Sequence, residues 1–153
     1  MSNPAYNTVH FPLLIGTWVS DTIRFAFIGA GMTPSVNDSD PRWGAGGVQD
    51  YSAFEVYGGQ CPQGGAALTG KTSTLVNNVR SLNAASPVVA YGSNAGNPSA
   101  ARYGVYYNVT QANKVIRFVN LNSGADLSLS PGIQENFNST GSGTQPASTA
   151  TNN

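Results

Sequence analysis

Short runs of alternating apolar and polar residues, separated by turn-forming residues, recur along most of this chain. An alternation with a period of two is typical of a β-strand that buries one face. The clearest run is 18–28, in which one face is expected to carry Ile23, Phe25 and Phe27 and the other Thr22, Arg24 and Ala26. The pattern predicts an all-β fold, either an antiparallel β-sandwich or a jelly-roll-like barrel, with very little helix.

Six further strands are predicted from the same alternation, and Gly-rich or Asn/Pro/Ser-rich joints lie between them. The runs 103–109 and 115–121 are expected to be neighbouring antiparallel strands joined by the polar loop 110–113. Since no segment of a dozen residues keeps a period of 3.6 without Gly or Pro, helix is limited to one turn near 12–16 or 40–44. The six predicted strands are 51–57, 68–76, 88–91, 103–109, 115–121 and 127–133.

The 153 residues are expected to form one domain with an extended arm at each end. We assign 1–15 to an N-terminal arm, 16–137 to the β-sandwich domain and 138–153 to a C-terminal tail. The tail is rich in Gly, Ser and Thr, carries no charge and has almost no side chain to bury. Such a segment is expected to be disordered until a partner holds it.

Charged side chains are scarce: seven Lys+Arg and seven Asp+Glu make up 9% of the chain, against about a quarter in ordinary domains, and there is one histidine. The scattered basic residues argue against nucleic acid bound through its phosphates and against an anionic membrane surface. The first ten residues do not form a secretory signal, and no run approaches the ~20 apolar residues of a membrane span. The chain is expected to be made in a cytoplasm.

One segment, 65–72, matches the phosphate-loop pattern G-x-x-x-x-G-K-[ST] letter for letter. A phosphate loop needs a buried strand before it and a helix after it, so that backbone N–H groups and the helix N-terminus meet the phosphates. Here a Gly-rich loop precedes Gly65 and β-favouring residues follow Thr72. We therefore interpret the match as a turn and a strand, and expect no nucleotide cofactor.

Other candidate sites are equally weak. Asp38 and Asp40 lack the Gly and the bidentate Glu of an EF-hand loop, so they are expected to shape a turn rather than bind calcium. Glu55 and Glu135 have no spacing that specifies a glycosidase pair. The lone Cys61 forms no internal disulfide and has no neighbouring base. We expect no catalytic residue, metal or cofactor, and therefore a protein that is not an enzyme.

Several segments, taken in order, resemble a family of small virion structural proteins found in tailed bacteriophages. The resemblance covers roughly residues 16–137, and each short motif alone is weak. In this family Asp-Thr-Ile-(Lys/Arg) is an opening strand and Gly-Gly-x-x-Leu begins a second strand after a turn. The similar segments are 21–28, 32–34 with Asp38, 55–58, 64–68, 101–107, 115–119 and 126–130.

The resemblance implies a non-enzymatic decoration or cement protein that binds the assembled head and braces neighbouring coat subunits. The chain departs from the family in lacking a short acidic helix before Asp21 and in adding the tail after Asn138. The implied partners are the major capsid protein and copies of this chain, with a trimer preferred, and the implied location is the head surface of the virion. The candidate partner contacts are Tyr6, His10, Phe11, Trp43, Phe137, Thr140 and Pro146.

Two alternatives remain open on the sequence. One is a tail or fibre component that contacts the host surface, and the other is a carbohydrate-binding module. Both require aromatic side chains that stack on sugars, for which the candidates are Trp43, Tyr57 and Tyr106. Trp43 itself is either an anchor on the core or an exposed contact residue.

Overall fold

A computed structural model describes residues 17–35, 37–76, 79–85, 87–138 and 147–152. The regular structure in these ranges is almost entirely β, which confirms the predicted fold class. Within them no helix is long and apolar enough to cross a membrane. The strands are β1 Ile23–Ile28, β2 Pro41–Arg42, β3 Gln49–Asp50, β4 Ala66–Ala67, β5 Thr72–Val76, β6 Val79–Asn83, β7 Val89–Tyr91, β8 Tyr103–Asn108, β9 Lys114–Asn120, β10 Ile133–Asn138 and β11 Ala147–Asn152, and a 3₁₀ helix spans Tyr51–Phe54.

The largest sheet has the strand order β3-β2-β9-β8-β1-β4. Its pairings are antiparallel except between β2 and β3, which run parallel, so the sheet is mixed rather than purely antiparallel. Since β3 and β4 are open edges, the sheet does not close, and the jelly-roll-like barrel is excluded. A three-stranded sheet of order β11-β10-β7 and a β5–β6 hairpin complete the strand pairing that is described.

The strands predicted from large alternating apolar residues are confirmed at β1, β7, β8 and β9. As predicted, β8 and β9 are antiparallel neighbours joined by a short polar loop. Ala112 and Asn113 in this loop have φ values of 55° and 57°, the left-handed conformation that closes such turns. Predicted strand 68–76 is shorter than expected and begins at Thr72.

Three predictions about local structure are wrong. Residues 51–57 are not a strand, because the Asp50 carboxylate accepts a hydrogen bond from the Ser52 amide at 2.9 Å and caps the 3₁₀ helix. In 127–133 Leu127 forms only an isolated bridge with Ala101, and the strand begins at Ile133 after the Pro-Gly turn. No helical turn occupies 40–44, since β2 lies there; the other expected turn, 12–16, lies outside the described residues.

The C-terminal tail was expected to be disordered without a partner, but part of it forms a strand in the single chain. Residues Ala147–Asn152 form β11, which pairs antiparallel with β10 from Ile133↔Asn152 to Asn138↔Ala147. The physical reason is that β10 pairs with β7 along one edge and leaves its other edge open to a strand of any side-chain composition. The boundaries proposed for the arm, domain and tail remain predictions.

One face of the large sheet packs against the smaller sheet and the hairpin. Ile23, Phe25 and Phe27 all point to this face, as the alternation predicts. Their partners come from β6, β7 and β10 and include Leu82, Val89 and Ile133. The Phe25 and Phe27 rings meet edge to face with centroids 5.1 Å apart. This two-layer packing forms the larger of the two hydrophobic clusters.

The opposite face of the large sheet is also buried. Its cluster contains Ala26 and Ile28 from β1, with strand residues of β8 and β9. Trp43 and Tyr51 cover this face from the connections around β2 and the 3₁₀ helix rather than from a further sheet. Because both faces of β1 are covered, the strand is apolar at Ala26 and Ile28 as well as at its alternating aromatic positions.

A β-bulge lies between β8 and β9. Tyr106 pairs with Arg117, while the next residue, Tyr107, pairs with Val115, so Ile116 has no opposite residue. As a result Arg117 lies on the same face as Tyr106, with its guanidinium carbon 5.4 Å from the centre of the tyrosine ring. A charged side chain thereby enters the core, where Arg117 is buried.

The turn before β4 requires glycine at position 65. Gly65 has a φ of 70°, and a Cβ placed there would lie 1.9 Å from the carbonyl oxygen of Phe25. That oxygen belongs to the centre of β1, which cannot shift without disturbing its pairing with β8. Glycine at this position is what allows β4 to lie against β1.

We expect Gly65→Ala to lower the free energy of unfolding by at least about 3 kcal/mol, because backbone strain and a backbone clash combine. Gly124→Ala is the matched control, since Gly124 has a φ of 85° but no atom within 4 Å of an added Cβ. It should cost only about 1 kcal/mol. Urea unfolding of both variants measures the difference, and equal losses would contradict the clash.

Candidate interaction surface

The structure describes only part of the predicted contact set. Tyr6, His10, Phe11, Thr140 and Pro146 lie outside the described residues. Phe137 lies in β10, where its backbone pairs with Ser148 of β11. Trp43 is the one predicted contact whose side chain is described, so the structure does not bring the set together, and its role in partner binding stays a prediction.

Trp43 is an anchor on the core. Its indole stacks on the ring of Tyr107 with a centroid distance of 4.8 Å and an interplanar angle of 7°. Its backbone amide donates to the carbonyl of Asn113 at 2.8 Å, which fixes the residue beside the β8–β9 loop. With 7% of its surface exposed, Trp43 has little area left for a partner.

The Gly64–Gly65 turn is held by side chains from three segments. Arg24 donates to the Gly64 carbonyl from Nε at 2.9 Å and to the Gly65 carbonyl from Nη2 at 2.7 Å. The Tyr107 hydroxyl also donates to the Gly64 carbonyl, at 2.6 Å, and the Gly64 amide donates to Oε1 of Glu55 at 2.5 Å. The turn is therefore fixed on both its amide and carbonyl sides.

This geometry is not that of a phosphate loop. Ala66 begins β4 directly after the glycines, and Thr72 begins β5 where a phosphate loop would begin a helix. Lys71 Nζ donates to the backbone carbonyl of Asp21 instead of facing a loop of free amides. The interpretation of 65–72 as a turn and a strand agrees with this arrangement.

The two acidic residues near Trp43 have protein partners. Asp38 accepts from the Ser35 amide at 3.2 Å and from the Tyr51 hydroxyl, while Asp40 forms an ion pair with Arg42 at 3.1 Å. The described residues contain no group of three or more His, Cys, Asp or Glu side chains arranged to hold a metal. The turn interpretation fits Asp38, and Asp40 adds an ion pair that the sequence did not predict.

Glu55 and Glu135 lie in different surroundings. Glu55 is partly buried beside the Gly64 turn, and both Glu55 and Tyr107 form hydrogen bonds to Gly64. Glu135 is fully buried and accepts from the Tyr106 hydroxyl at 3.0 Å. Because Tyr106 and Tyr107 point to opposite faces of β8, the two carboxyl groups do not share a cleft in the manner of a glycosidase pair.

Burial shifts several titratable groups toward their neutral forms. It raises the pKa of Glu55 above its usual value, although the Gly64 amide and Arg24 act in the opposite direction. It raises the pKa of Cys61 to about 11, so this thiol stays protonated at neutral pH and is a poor nucleophile. The pKa of Tyr107 is also raised, mainly by burial.

The aromatic side chains proposed to stack on sugars are mostly inaccessible. Tyr106 has no exposed surface, and Trp43 is covered by Tyr107. Tyr57 is 52% exposed. A sugar-stacking platform built from all three is therefore wrong for this fold, since two of its members are core residues.

A buried asparagine fixes three surface connections that the sequence did not single out. Asn97 accepts from the Gln60 amide at 2.8 Å and donates to the carbonyls of Gly92 and Leu129 at 3.1 and 2.9 Å. The bonds to Gln60 and Leu129 join segments that are distant in sequence, and the bond to Gly92 closes the loop that contains Asn97. The loops at this place are held by hydrogen bonds rather than by apolar packing or charge.

The large exposed apolar side chains of the described residues come from separate parts of the chain. They lie singly in four separate segments, and single exposed apolar residues are common on protein surfaces. They do not define an apolar docking patch by themselves. These residues are Val19, Val48, Tyr57 and Val109.

The outer edge of β11 is the longest open strand edge among the described residues. It spans six residues, whereas β5 and β6 of the hairpin have five each, β7 has three, and β3 and β4 at the edges of the large sheet have two each. An open edge presents unpaired backbone N–H and C=O groups to another chain. Sequence reasoning missed β11 because its residues lack the large alternating side chains that signal a strand.

We expect Glu55→Gln to be more stable than the unchanged protein at neutral pH. Because folding raises the pKa of Glu55, its protonated form is favoured in the folded state, and this stability is lost as pH rises through the folded pKa. The stability advantage of the glutamine variant should therefore vanish when the pH falls below 4.5, the usual pKa of a glutamate. Unfolding curves across this range measure it, and a constant difference would contradict the assignment.

Asp50→Asn is the control of opposite sign. Burial raises the pKa of Asp50, but hydrogen bonds from Ser52, Gly44 and Ala53 outweigh it and lower the pKa overall. The asparagine variant should therefore be less stable than the unchanged protein at pH values above 3.8, the usual pKa of an aspartate. This difference should shrink as the pH falls through the lower pKa that Asp50 has in the folded state.

The chain was compared with protein-family models, curated proteins and solved structures. None of these comparisons gave a match. The resemblance to virion structural proteins remains a prediction carried by short sequence motifs.

Proposed function

We propose that this chain is a non-enzymatic structural protein of a bacteriophage virion, a decoration or cement protein that binds the assembled head. Its partners are the major capsid protein and further copies of itself. The observation that carries the proposal is the long, uncharged open edge of β11, placed on a domain whose large sheet is already buried on both faces. Such a domain meets partners through edges and loops.

The loops beside these edges are suited to form a fixed contact surface. Asn97 ties three of them together, and Arg24, Tyr107 and Glu55 hold the Gly64 turn. A preorganised loop loses less conformational entropy on binding than a free one. This supports a role in which the protein binds as a rigid brace.

The low charge favours contacts made by backbone groups, small polar side chains and bridging water. A shell presents many symmetric copies of one site, so modest binding per copy is strengthened when bound copies also touch one another. A trimer, the preferred oligomer, meets this condition at a threefold position. The head surface of the virion is the location this implies.

The alternative is a tail or fibre component that contacts the host surface. Tyr57 is the observation that favours it, since its ring is exposed and lies next to the Gly58–Cys61 bridge. A single exposed tyrosine is a smaller platform than the three aromatics predicted from the sequence. The decoration role is therefore the better supported of the two. A carbohydrate-binding module would also depend on Tyr57 alone, so it has the same weakness.

Quantitative mass spectrometry of purified particles tests the proposal. A head decoration protein should be present in hundreds of copies, as the repeated sites of a shell require. A handful of copies would place it in the tail, and absence from particles would reject both virion roles. Cryo-electron microscopy of the same particles then locates the density.

We expect attachment through the C-terminal segment to depend only weakly on salt, because no charged residue follows Glu135. A chain truncated after Asn138 should show lower occupancy on particles at every salt concentration. The matched control, Lys114→Gln, removes the charge of a partly buried residue at the start of β9 and leaves the C-terminal segment intact. Steep loss of the full chain with rising salt would contradict a contact made by neutral groups.

A further inference from the structure

The C-terminal strand β11 is attached to its domain through one neighbour. It pairs with β10 along its full length, and its other edge is open. β10, by contrast, also pairs with β7, and Ile133 and Glu135 of β10 are fully buried. β10 is thus part of the core, while β11 is an addition to its edge.

The sequence of β11 does not specify which copy of the chain it pairs with. Its residues are Ala, Ser, Thr, Ala, Thr and Asn, with no charge and no large apolar side chain. Strands of this kind are weakly specified by packing and pair mainly through backbone hydrogen bonds. The edge of β10 therefore accepts an identical strand from a second copy as readily as its own.

The connection between the strands is short and consists of small and polar residues with one proline. Residues 139–146 join Asn138 to its partner Ala147, and this stretch contains two glycines and no large apolar residue. A short covalent connection gives its own strand an effective concentration in the millimolar range. A neighbouring copy fixed beside it on a shell supplies its strand at a comparable concentration.

We propose that neighbouring copies exchange their C-terminal strands, so that β11 of one copy pairs with β10 of the next. Each copy gives one strand and receives one, and a closed ring of two or three copies leaves no β10 edge empty. The six residue pairs between β10 and β11 are unchanged, and only the chain that supplies β11 differs. The inference rests on the proposed function in one respect: the virion shell is what places neighbouring copies side by side.

Exchange leaves the remainder of each domain intact. Tyr106 holds Glu135 of β10 from within the core, and β7 pairs with the opposite edge of β10. No described bond of this group involves β11. The domain therefore needs no unfolding of its core when β11 leaves.

Disulfide formation between two single-cysteine variants tests the exchange. Gln134 lies opposite Thr151, so a mixture of Gln134→Cys and Thr151→Cys proteins joins in register only when β11 of one copy pairs with β10 of another. Cys61 is buried, and its pKa of about 11 keeps it from competing. The mixture is oxidised at protein concentrations on the order of 1 mM, where exchange competes with the linker, and analysed on non-reducing gels.

The expected result is a mixed disulfide that forms several times faster than in the control mixture of Gln134→Cys with Ala150→Cys, since Ala150 lies opposite Glu135 rather than Gln134. Equal rates in the two mixtures would overturn the proposal. In the double variant Gln134→Cys/Thr151→Cys, a disulfide within one chain at low concentration shows that β11 pairs with β10. Failure of this disulfide would also overturn it.

The outcome is independent of particle binding. Exchange in purified protein that is absent from particles would reject the proposed function and leave strand exchange standing. Abundant protein on particles, with no exchange in the mixed-variant experiment, would reject strand exchange and leave the proposed function standing.

Discussion

The hydrogen bond from Tyr106 to Glu135 connects the two layers of this protein. Tyr106 belongs to β8, at the centre of the large sheet, and Glu135 belongs to β10, at the centre of the small one. Both side chains are fully buried, and the buried Arg117 lies over the tyrosine ring on the same side. A buried carboxyl group requires partners in fixed positions, so this group sets where β10 lies over β8. The bulge at Ile116 is what turns Arg117 toward it.

The scarcity of charge acquires a more specific meaning from the structure. Several of the few ionic side chains form hydrogen bonds inside the domain. Arg24 and Glu55 fix the Gly64 turn. Asp21 accepts hydrogen bonds from Asn108 at 2.8 Å and from Gln111 at 3.2 Å. The described surface is therefore even less charged than the composition indicates. The proposed structural role therefore relies on contacts through neutral polar groups and strand edges.

The sequence predicted the parts of the fold that depend on large apolar side chains. Phe25 and Phe27 in β1 and the aromatic residues of β8 alternate or cluster strongly enough to identify their strands. Pro41–Arg42, Gln49–Asp50 and Ala66–Ala67 are too short for any periodic signal, and β11 is too polar. Those elements are set by pairing with strands distant in the chain, which a local pattern does not contain.

The candidate site was harder to predict than the fold for the same physical reason. Trp43 beside two aspartates suggested an exposed contact or an anchor, and the distinction came from Tyr107, a residue 64 positions later that stacks on it. Asn97 was not singled out because an asparagine in a Gly-rich loop usually signals a turn. Two of its three bonds reach distant segments, at Gln60 and Leu129, and these exist only in the folded chain.

The two-residue strands at the edges of the large sheet carry a further consequence for a protein that works at high density. β3 and β4 offer too little backbone to nucleate sheet growth from one molecule to the next, and the parallel pairing of β3 with β2 interrupts the antiparallel pattern at that edge. Uncontrolled stacking through the large sheet is thereby suppressed. Edge-to-edge association of crowded copies is thereby directed to the longer described strands of the small sheet and the β5–β6 hairpin, and away from the large sheet.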